Sequence, residues 1–389
     1  MNRRTMILVL GMAAFTVMAD NWVVSPILPA IASGIGVPVA RAGLLISAYM
    51  IPFGAAQLVF GPLADRFGKR EIITLTMVLF TVGTALTAIG TSLFYLGVYR
   101  LITGIFAASV IPVSIALIGD LVPMPERQAA IGVFLGMAFL GQGLSMAIGG
   151  SIAYFLSWRG VFLTYALLST GVTVLLFVVG RQVPPGRNPG SEFLKPYWRL
   201  LTGRSGRTYL IALIEGIFIL GQFSYLGGFI EHAFHLNNLW IGMIMTVFGA
   251  AAIVGSRGSG RLAQRIGRQK VMLLGFGLTV AASAAFWAFG SVLAVFVVGV
   301  GVLGLGNMLA HSTILTMGTE FAASARGAAT SLVAFCFMGG GGIGTAIGSR
   351  IVGTWGYPTL FLGFGIGLVF LVVLTRVLMS HLENEPPAA

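Results

Sequence analysis

Twelve stretches of about twenty mainly apolar residues, separated by short gaps that hold nearly all of the charge, dominate the sequence. They cover 6–29, 40–60, 72–90, 94–117, 129–153, 160–179, 208–230, 239–257, 271–289, 292–317, 328–351 and 358–378. About twenty helical residues cross the hydrocarbon core of a bilayer. Backbone groups in lipid have no water to bond, so stretches of this length must satisfy themselves as helices. Gaps as short as 90–93 and 290–291 require their flanking helices to run antiparallel. Only 9% of the residues are charged, against about 25% in a soluble domain. That excludes a single soluble domain, a nucleic-acid binder and a disordered scaffold. The expected fold is an all-α polytopic membrane protein with twelve transmembrane helices. The 55 glycines show no collagen-like period and are expected to bring helices together closely. Cys336 is the one cysteine, so no intrachain disulfide framework or cysteine-based metal cluster is expected.

The net charge of +12 is topological. When the gaps are numbered alternately, nineteen of the 23 Lys and Arg residues fall on the side that carries the N-terminus. Only Arg41, Arg159 and Arg350 fall on the other side, and Arg100 lies inside the fourth run. By the positive-inside rule the basic side is cytoplasmic and both termini face it. A bacterial-type plasma membrane is the expected location. Residues 6–29 follow Arg3 and Arg4 as a signal peptide would. The run exceeds the usual 7–15 apolar residues of such a signal, however, and contains Asp20, Pro26 and Pro29. It is read as the first membrane helix.

The chain also repeats itself at an offset of 199 residues. Gly61-Pro-Leu-Ala-Asp-Arg-Phe-Gly-Lys-Arg70 falls on Gly260-Arg-Leu-Ala-Gln-Arg-Ile-Gly-Arg-Gln269. The same shift places Gly43 on Gly242, Arg127 on Arg326, Gly141 on Gly340, and Ala147-Ile148-Gly149 on Ala346-Ile347-Gly348. Two pseudo-symmetric six-helix bundles are therefore expected at 1–180 and 208–379, joined by a basic cytoplasmic linker at 181–207 and followed by a cytoplasmic tail at 380–389. Such a repeat is what alternating access about a central site requires.

The segment from Gly61 to Arg70 resembles the signature loop of the major facilitator superfamily, G-x-L-A-D-R-x-G-R/K-R/K, at every fixed position. Arg100-Leu-Ile-Thr-Gly104 resembles the R-x-x-x-G element of its proton-coupled antiporters. Asp20 with Pro26 and Pro29 is similar to their first-helix pattern. Asp120-Leu-Val-Pro123 with Arg127, and Trp158-Arg159-Gly-Val-Phe162, are similar to two further loop elements. The resemblance covers essentially the whole chain and implies the major facilitator fold, nearest the twelve-helix drug:proton antiporters. One departure falls in the fifth helix. There the antiporter pattern G-x-x-x-G-P-x-x-G-G is replaced by Gly141-Gln-Gly-Leu-Ser-Met-Ala-Ile-Gly149-Gly150. That fits exporters of sugars, nucleosides or other metabolites about as well as drug pumps. The resemblance also implies that Asp65 meets the start of the eleventh helix, near 327–330, as a conformational latch. Gly61 and Gly68 would permit a tight turn and close approach, while Arg66, Lys69 and Arg70 hold the cytoplasmic face. In the second copy Gln264 takes the place of the acid, so gating would be asymmetric.

Charged groups deep in a bilayer are costly and mark pathways or ion pairs. Three stand out: Asp20, Arg100 and Glu215. Asp20 lies sixteen residues beyond Arg4, about 24 Å along a helix. Arg100 lies about eight residues into its own helix, at similar depth, so the two could pair. Either Asp20 couples protons, with Arg100 setting its proton affinity, or the pair is a static tie between helices. Glu215, about 12 Å beyond Arg207, has no evident cationic partner in its half. It could bind a cationic substrate, take a second proton, or be a protonated acid bonded to a neighbouring helix. Asn21, Gln142, Gln222, Asn307 and His311 could line the substrate cavity or make interhelical hydrogen bonds. Glu231-His232-Ala-Phe-His235 could ligate a metal but reads better as an external loop.

No P-loop, H-E-x-x-H or nucleophile elbow is present, so no enzyme activity, cofactor or bound metal is expected. The proton gradient would be the energy source. The expected function is proton-coupled efflux of a small organic solute, a drug or metabolite, by a monomer in the bilayer that has no nucleic-acid partner. An uptake symporter or uniporter on the same fold is the alternative.

Overall fold

The computed structural model describes residues 3–181, 195–202, 206–320 and 326–380. Most of the expected 181–207 linker, and the tail beyond Ser380, lie outside the described residues. Among the described residues every regular element is helical.

The first six spans are built from nine helices: α1 (Arg3–Trp22), α2 (Val24–Ile35), α3 (Val39–Ala42), α4 (Leu44–Phe67), α5 (Lys69–Ile89), α6 (Leu93–Ala107), α7 (Val110–Leu121), α8 (Met124–Phe155) and α9 (Trp158–Gly180). The breaks inside the first and fourth spans have a local cause. A proline ring clashes with the carbonyl four residues earlier and supplies no N–H. Pro26 thus acts at Trp22, where α1 ends, and Pro112 acts at Ala108, where α6 gives way to α7. Pro52 and Pro62 sit inside α4, which runs on through both. Ser92 and Ser157 start α6 and α9 by accepting hydrogen bonds from the backbone N–H groups of Tyr95 and Gly160.

Beyond the short α10 (Lys195–Thr202), the second set comprises α11 (Gly206–Glu215), α12 (Gly221–Phe234), α13 (Asn238–Ile266), α14 (Arg268–Phe289), α15 (Leu293–Glu320) and α16 (Arg326–Ser380). A π-helical turn, Gly216–Leu220, joins α11 to α12. The long α16 is two spans in one, broken at Gly356, whose φ of 81° only glycine adopts readily. Eleven stretches are long and apolar enough to cross a membrane, and the last of them, Ala328–Met379, contains that break. All twelve expected spans are therefore present among the described residues. Several extend further towards the basic ends than hydropathy suggests: α4 reaches Phe67 and α13 reaches Ile266.

The 199-residue repeat is written into the backbone. Gly68 and its counterpart Gly267 both have positive φ, 108° and 87°, at the α4–α5 and α13–α14 turns. Large apolar side chains such as Leu167, Ile366 and Val298 remain well exposed, as expected where lipid is the outer solvent.

The chain divides into two compact units. The first comprises Met1–Pro196 together with Ser224–Thr246, and the second comprises Tyr197–Phe223 together with Val247–Ala389. In the first unit, glycines remove the side chains that would keep helices apart. A Cβ on Gly141 of α8 would run into the Phe15 carbonyl of α1, and one on Gly150 would meet Gly242 of α13. The variant fifth-helix sequence therefore retains close packing without a Gly-Pro pair. Ser25 Oγ donates to the Ser224 carbonyl at 3.1 Å, so two residues 199 apart in sequence touch. In the second unit, Gly216 and Gly221 pack on the backbone of α16 at Phe337 and Gly344.

Candidate functional site

Asp20 and Arg100 meet in the interior of the first unit. Arg100 Nη1 donates to Asp20 Oδ2 at 2.6 Å and Nη2 to the Asp20 carbonyl at 3.3 Å, with both side chains essentially unexposed. Local sequence makes this possible. Arg100 and Gly104 are one turn apart and share a face of α6. A Cβ on Gly104 would strike the backbone of Tyr49, so glycine there lets α4 come close. The Tyr49 ring then covers the guanidinium at 4.3 Å, and Phe162 of α9 lies 5.7 Å away on another side. Tyr49 is stacked on Phe53 at 5.6 Å, and Phe162 meets Trp158 edge-on. A cation held against aromatic faces in a dry interior is substantially stabilised.

Asp20 Oδ1, Arg100 Nε, Tyr49 Oη and Tyr165 Oη are buried without hydrogen-bond partners. Such groups are few in folded proteins. Tyr49, Phe162 and Tyr165 are absent from the sequence-based set. The available signal for Phe162 was its place in the Trp158-Arg159-Gly-Val-Phe162 element. For Tyr49 and Tyr165 hydropathy offers none, because a tyrosine facing a buried charge reads like one facing lipid.

Glu215 requires a correction. The sequence suggests an acid without a basic partner in its half, yet Glu215 Oε2 lies 3.0 Å from His311 Nδ1. Glu215 is fully buried at the last residue of α11, where the π turn begins. π turns inside α-helices are frequently found at functional positions. His311, on α15, packs its ring on Phe337 at 3.9 Å and keeps 15% of its side chain exposed. Glu215 Oε1 has no hydrogen-bond partner.

The remaining cavity candidates separate. Gln222 and Asn307 are fully buried in the second unit, and Asn21 and Gln142 are buried in the first. Gln222 Oε1 accepts from Ser283 at 2.9 Å while its Nε2 is unpartnered. Both amide atoms of Asn307 lack partners. Among the described residues no three His, Cys, Asp or Glu side chains gather as a metal site.

In the signature loop, Lys69 Nζ bonds Asp120 Oδ2 at 2.6 Å and lies 3.7 Å from Asp65 Oδ1. Arg70 joins Glu71 at 3.0 Å and the Gly180 carbonyl at 3.1 Å, and Arg66 sits over the Phe67 ring. The turn rests on Gly68 alone. Gly61 lies inside α4 with open space where a Cβ would project, so it makes no close approach there, contrary to the expectation from sequence. Residues 327–330, the expected partner of Asp65, belong to the second unit, and 321–325 just before them lie outside the described residues. Arg127 bonds the Gly119 carbonyl, and Arg159 stacks on Trp158 at 4.2 Å and donates to the Gly90 carbonyl at 3.0 Å. These contacts tie helix ends and make no part of either buried pair.

The sequence matches the family described as Major Facilitator Superfamily over residues 10–255 and 208–389. An uncharacterized MFS-type transporter of Bacillus subtilis, YwfA, is 26% identical over 70% of this chain and 67% of its own length. The puromycin resistance protein pur8 of Streptomyces alboniger is 30% identical, over 46% of this chain and 35% of its own length. Among solved structures, a bacterial homolog of the human lysosomal transporter Spinster, inward-facing and occupied, superposes with a TM-score of 0.78. That match covers 98% of both chains at 16% identity, which is a likeness of fold.

Proposed function

The chain belongs to the major facilitator superfamily, and from that premise we propose that it exports a small organic solute in exchange for protons. Its family and relatives are transporters, and the protein is a membrane transporter rather than an enzyme. The observation that carries the proposal is that each compact unit buries one carboxylate against one base, Asp20 with Arg100 and Glu215 with His311. Tying helices together does not require charges, and an acid in a membrane interior is expensive. Once movement separates Asp20 from Arg100, a proton is the simplest group that neutralises the carboxylate. The same holds for Glu215 leaving His311, except that histidine can itself carry the proton.

Open to the outside, the acids would take protons and the solute would leave. Open to the cytoplasm, solute binding would return the protons. The export direction is supported by the resistance protein among the relatives. The basic ends would face the cytoplasm of a bacterial-type plasma membrane, and Asp65 would latch onto 327–330 in one state. The transporter would work as a monomer, with no cofactor beyond the gradient.

The test is proton movement in sealed proteoliposomes loaded with a pH-sensitive dye, with solute added down its gradient. Exchange moves protons against the solute, and both Asp20→Asn and Glu215→Gln abolish that movement. Movement of both in the same direction would identify a symporter. Coupled flux that survives both substitutions would remove the assigned roles.

A further inference from the structure

The described interior contains two acids deep in the spans, and each already faces a base: Asp20 faces Arg100, and Glu215 faces His311. A cationic solute at Glu215 would share the carboxylate with His311, and an anionic one at Arg100 would share the guanidinium with Asp20, so each of these buried charges already faces a counter-group. What the second unit does offer is a spare amide. Asn307 is fully buried, and neither its Oδ1 nor its Nδ2 has a hydrogen-bond partner. An unsatisfied buried amide is a standing cost, and an apolar residue of the same size avoids it.

Asn307 lies one turn before His311 on the same face of α15. The His311 ring is fixed by Phe337 on one side and by Glu215 at Nδ1, while part of it remains open. An amide presents a donor and an acceptor side by side, and the open edge of an imidazole adds a third polar point one turn away.

We propose that Asn307 and the open edge of His311 form a recognition site for an uncharged solute with neighbouring hydrogen-bond donors and acceptors. Polyhydroxylated and amide-bearing compounds share that chemistry. The inference rests on the transporter assignment but not on proton coupling. Glu215 takes part indirectly by holding the His311 ring in place, so that an uncharged solute meets a fixed edge.

The experiment pairs stability with binding on the purified full chain, without a pH gradient. Asn307→Leu is expected to raise the melting temperature by about 2–4 °C, since it removes an unsatisfied amide. Equilibrium binding is measured with glucose, sorbitol, uridine and benzamide, and with tetraphenylphosphonium and citrate as charged comparisons. At least one uncharged probe binds the parent, and Asn307→Leu weakens it tenfold or more; the two ions do not compete with it. Lower stability of Asn307→Leu would make the amide a structural contact and overturn the proposal. So would tighter binding of either ion than of every uncharged probe, or uncharged binding that Asn307→Leu leaves unchanged. If no probe binds, the stability measurement decides. An uncharged probe that is carried without proton movement would sink the coupling reading and leave this one standing. Coupled carriage of tetraphenylphosphonium would do the reverse.

Discussion

Replacing Asp20 by Asn while keeping Arg100 asks what the first unit does with a bare buried cation. Removing one partner of a buried pair costs about 3–5 kcal/mol, because the survivor is left uncompensated. Arginine cannot shed its proton to escape. Three contacts survive the change: the Tyr49 face at 4.3 Å, the Phe162 ring at 5.7 Å, and the Asp20 carbonyl at 3.3 Å. A desolvated cation–π contact is worth about 2 kcal/mol, and the closer ring should carry most of it. Those contacts already exist in the parent, so only their strengthening, about 1 kcal/mol, offsets the penalty, and Asp20→Asn is expected to cost about 2–4 kcal/mol.

The discriminating measurement is a double-mutant cycle between Asp20→Asn and Tyr49→Leu, followed by equilibrium unfolding in mixed micelles. In the parent the carboxylate neutralises Arg100, so the ring matters less. In the Asn variant the ring holds the charge nearly alone. Tyr49→Leu should then cost about 1 kcal/mol more in the Asn background than in the parent. Tyr49→Phe, which keeps an aromatic face, should show little of that extra cost. Additivity within about 0.5 kcal/mol would mean that the ring does not hold the charge, and the reasoning would fail.

Gly104→Ala places a methyl against the Tyr49 backbone, whereas Gly97→Ala, two turns earlier on α6, meets open space. Thermal unfolding should report a loss of about 1–3 kcal/mol for the first and a change of up to about 1 kcal/mol in the stabilising direction for the second; equal effects would refute the close-approach account. Orientation can be read from single cysteines in a Cys336→Ser background. Ser291→Cys should react with an impermeant maleimide added to intact cells, and Gln264→Cys only after permeabilisation; the opposite pattern would invert the topology.

The spans were legible because a bilayer imposes a length, and twelve runs of that length leave one reading. The breaks at Trp22 and Ala108 follow from Pro26 and Pro112 once the four-residue offset is applied. The π turn had no such marker: nothing in Gly216-Ile-Phe-Ile-Leu220 differs from the helices beside it. The Asp20–Arg100 contact was legible by counting depth from the basic end and from the opposite end. The Glu215–His311 contact depends on where α15 ends, which hydropathy places at 317. α15 ends at Glu320, so His311 lies 320 − 311 = 9 residues from that end, while Glu215 lies 215 − 207 = 8 residues beyond Arg207. The aromatic faces on Arg100 needed coordinates, because which ring covers a charge depends on how closely α4 approaches α6, and that is set by Gly104.

The repeat preserves what the backbone needs and abandons what the chemistry uses. Gly68 and Gly267 keep the same unusual φ, and Ser25 meets its own counterpart, Ser224. Shifted by 199, however, Asp20 falls on Ile219 and Arg100 on Gly299, while Glu215 falls back on Thr16 and His311 on Pro112. Each half has therefore acquired its buried pair at positions that are not equivalent and with a different base. Arginine keeps its charge at any working pH and needs the rings of Tyr49 and Phe162 when its acid is neutral. Histidine can lose its charge together with the acid, so the Glu215–His311 pair can become uncharged without any such support. In keeping with that difference, aromatic faces gather on Arg100 in the first unit, while the Phe337 ring packs against His311 in the second.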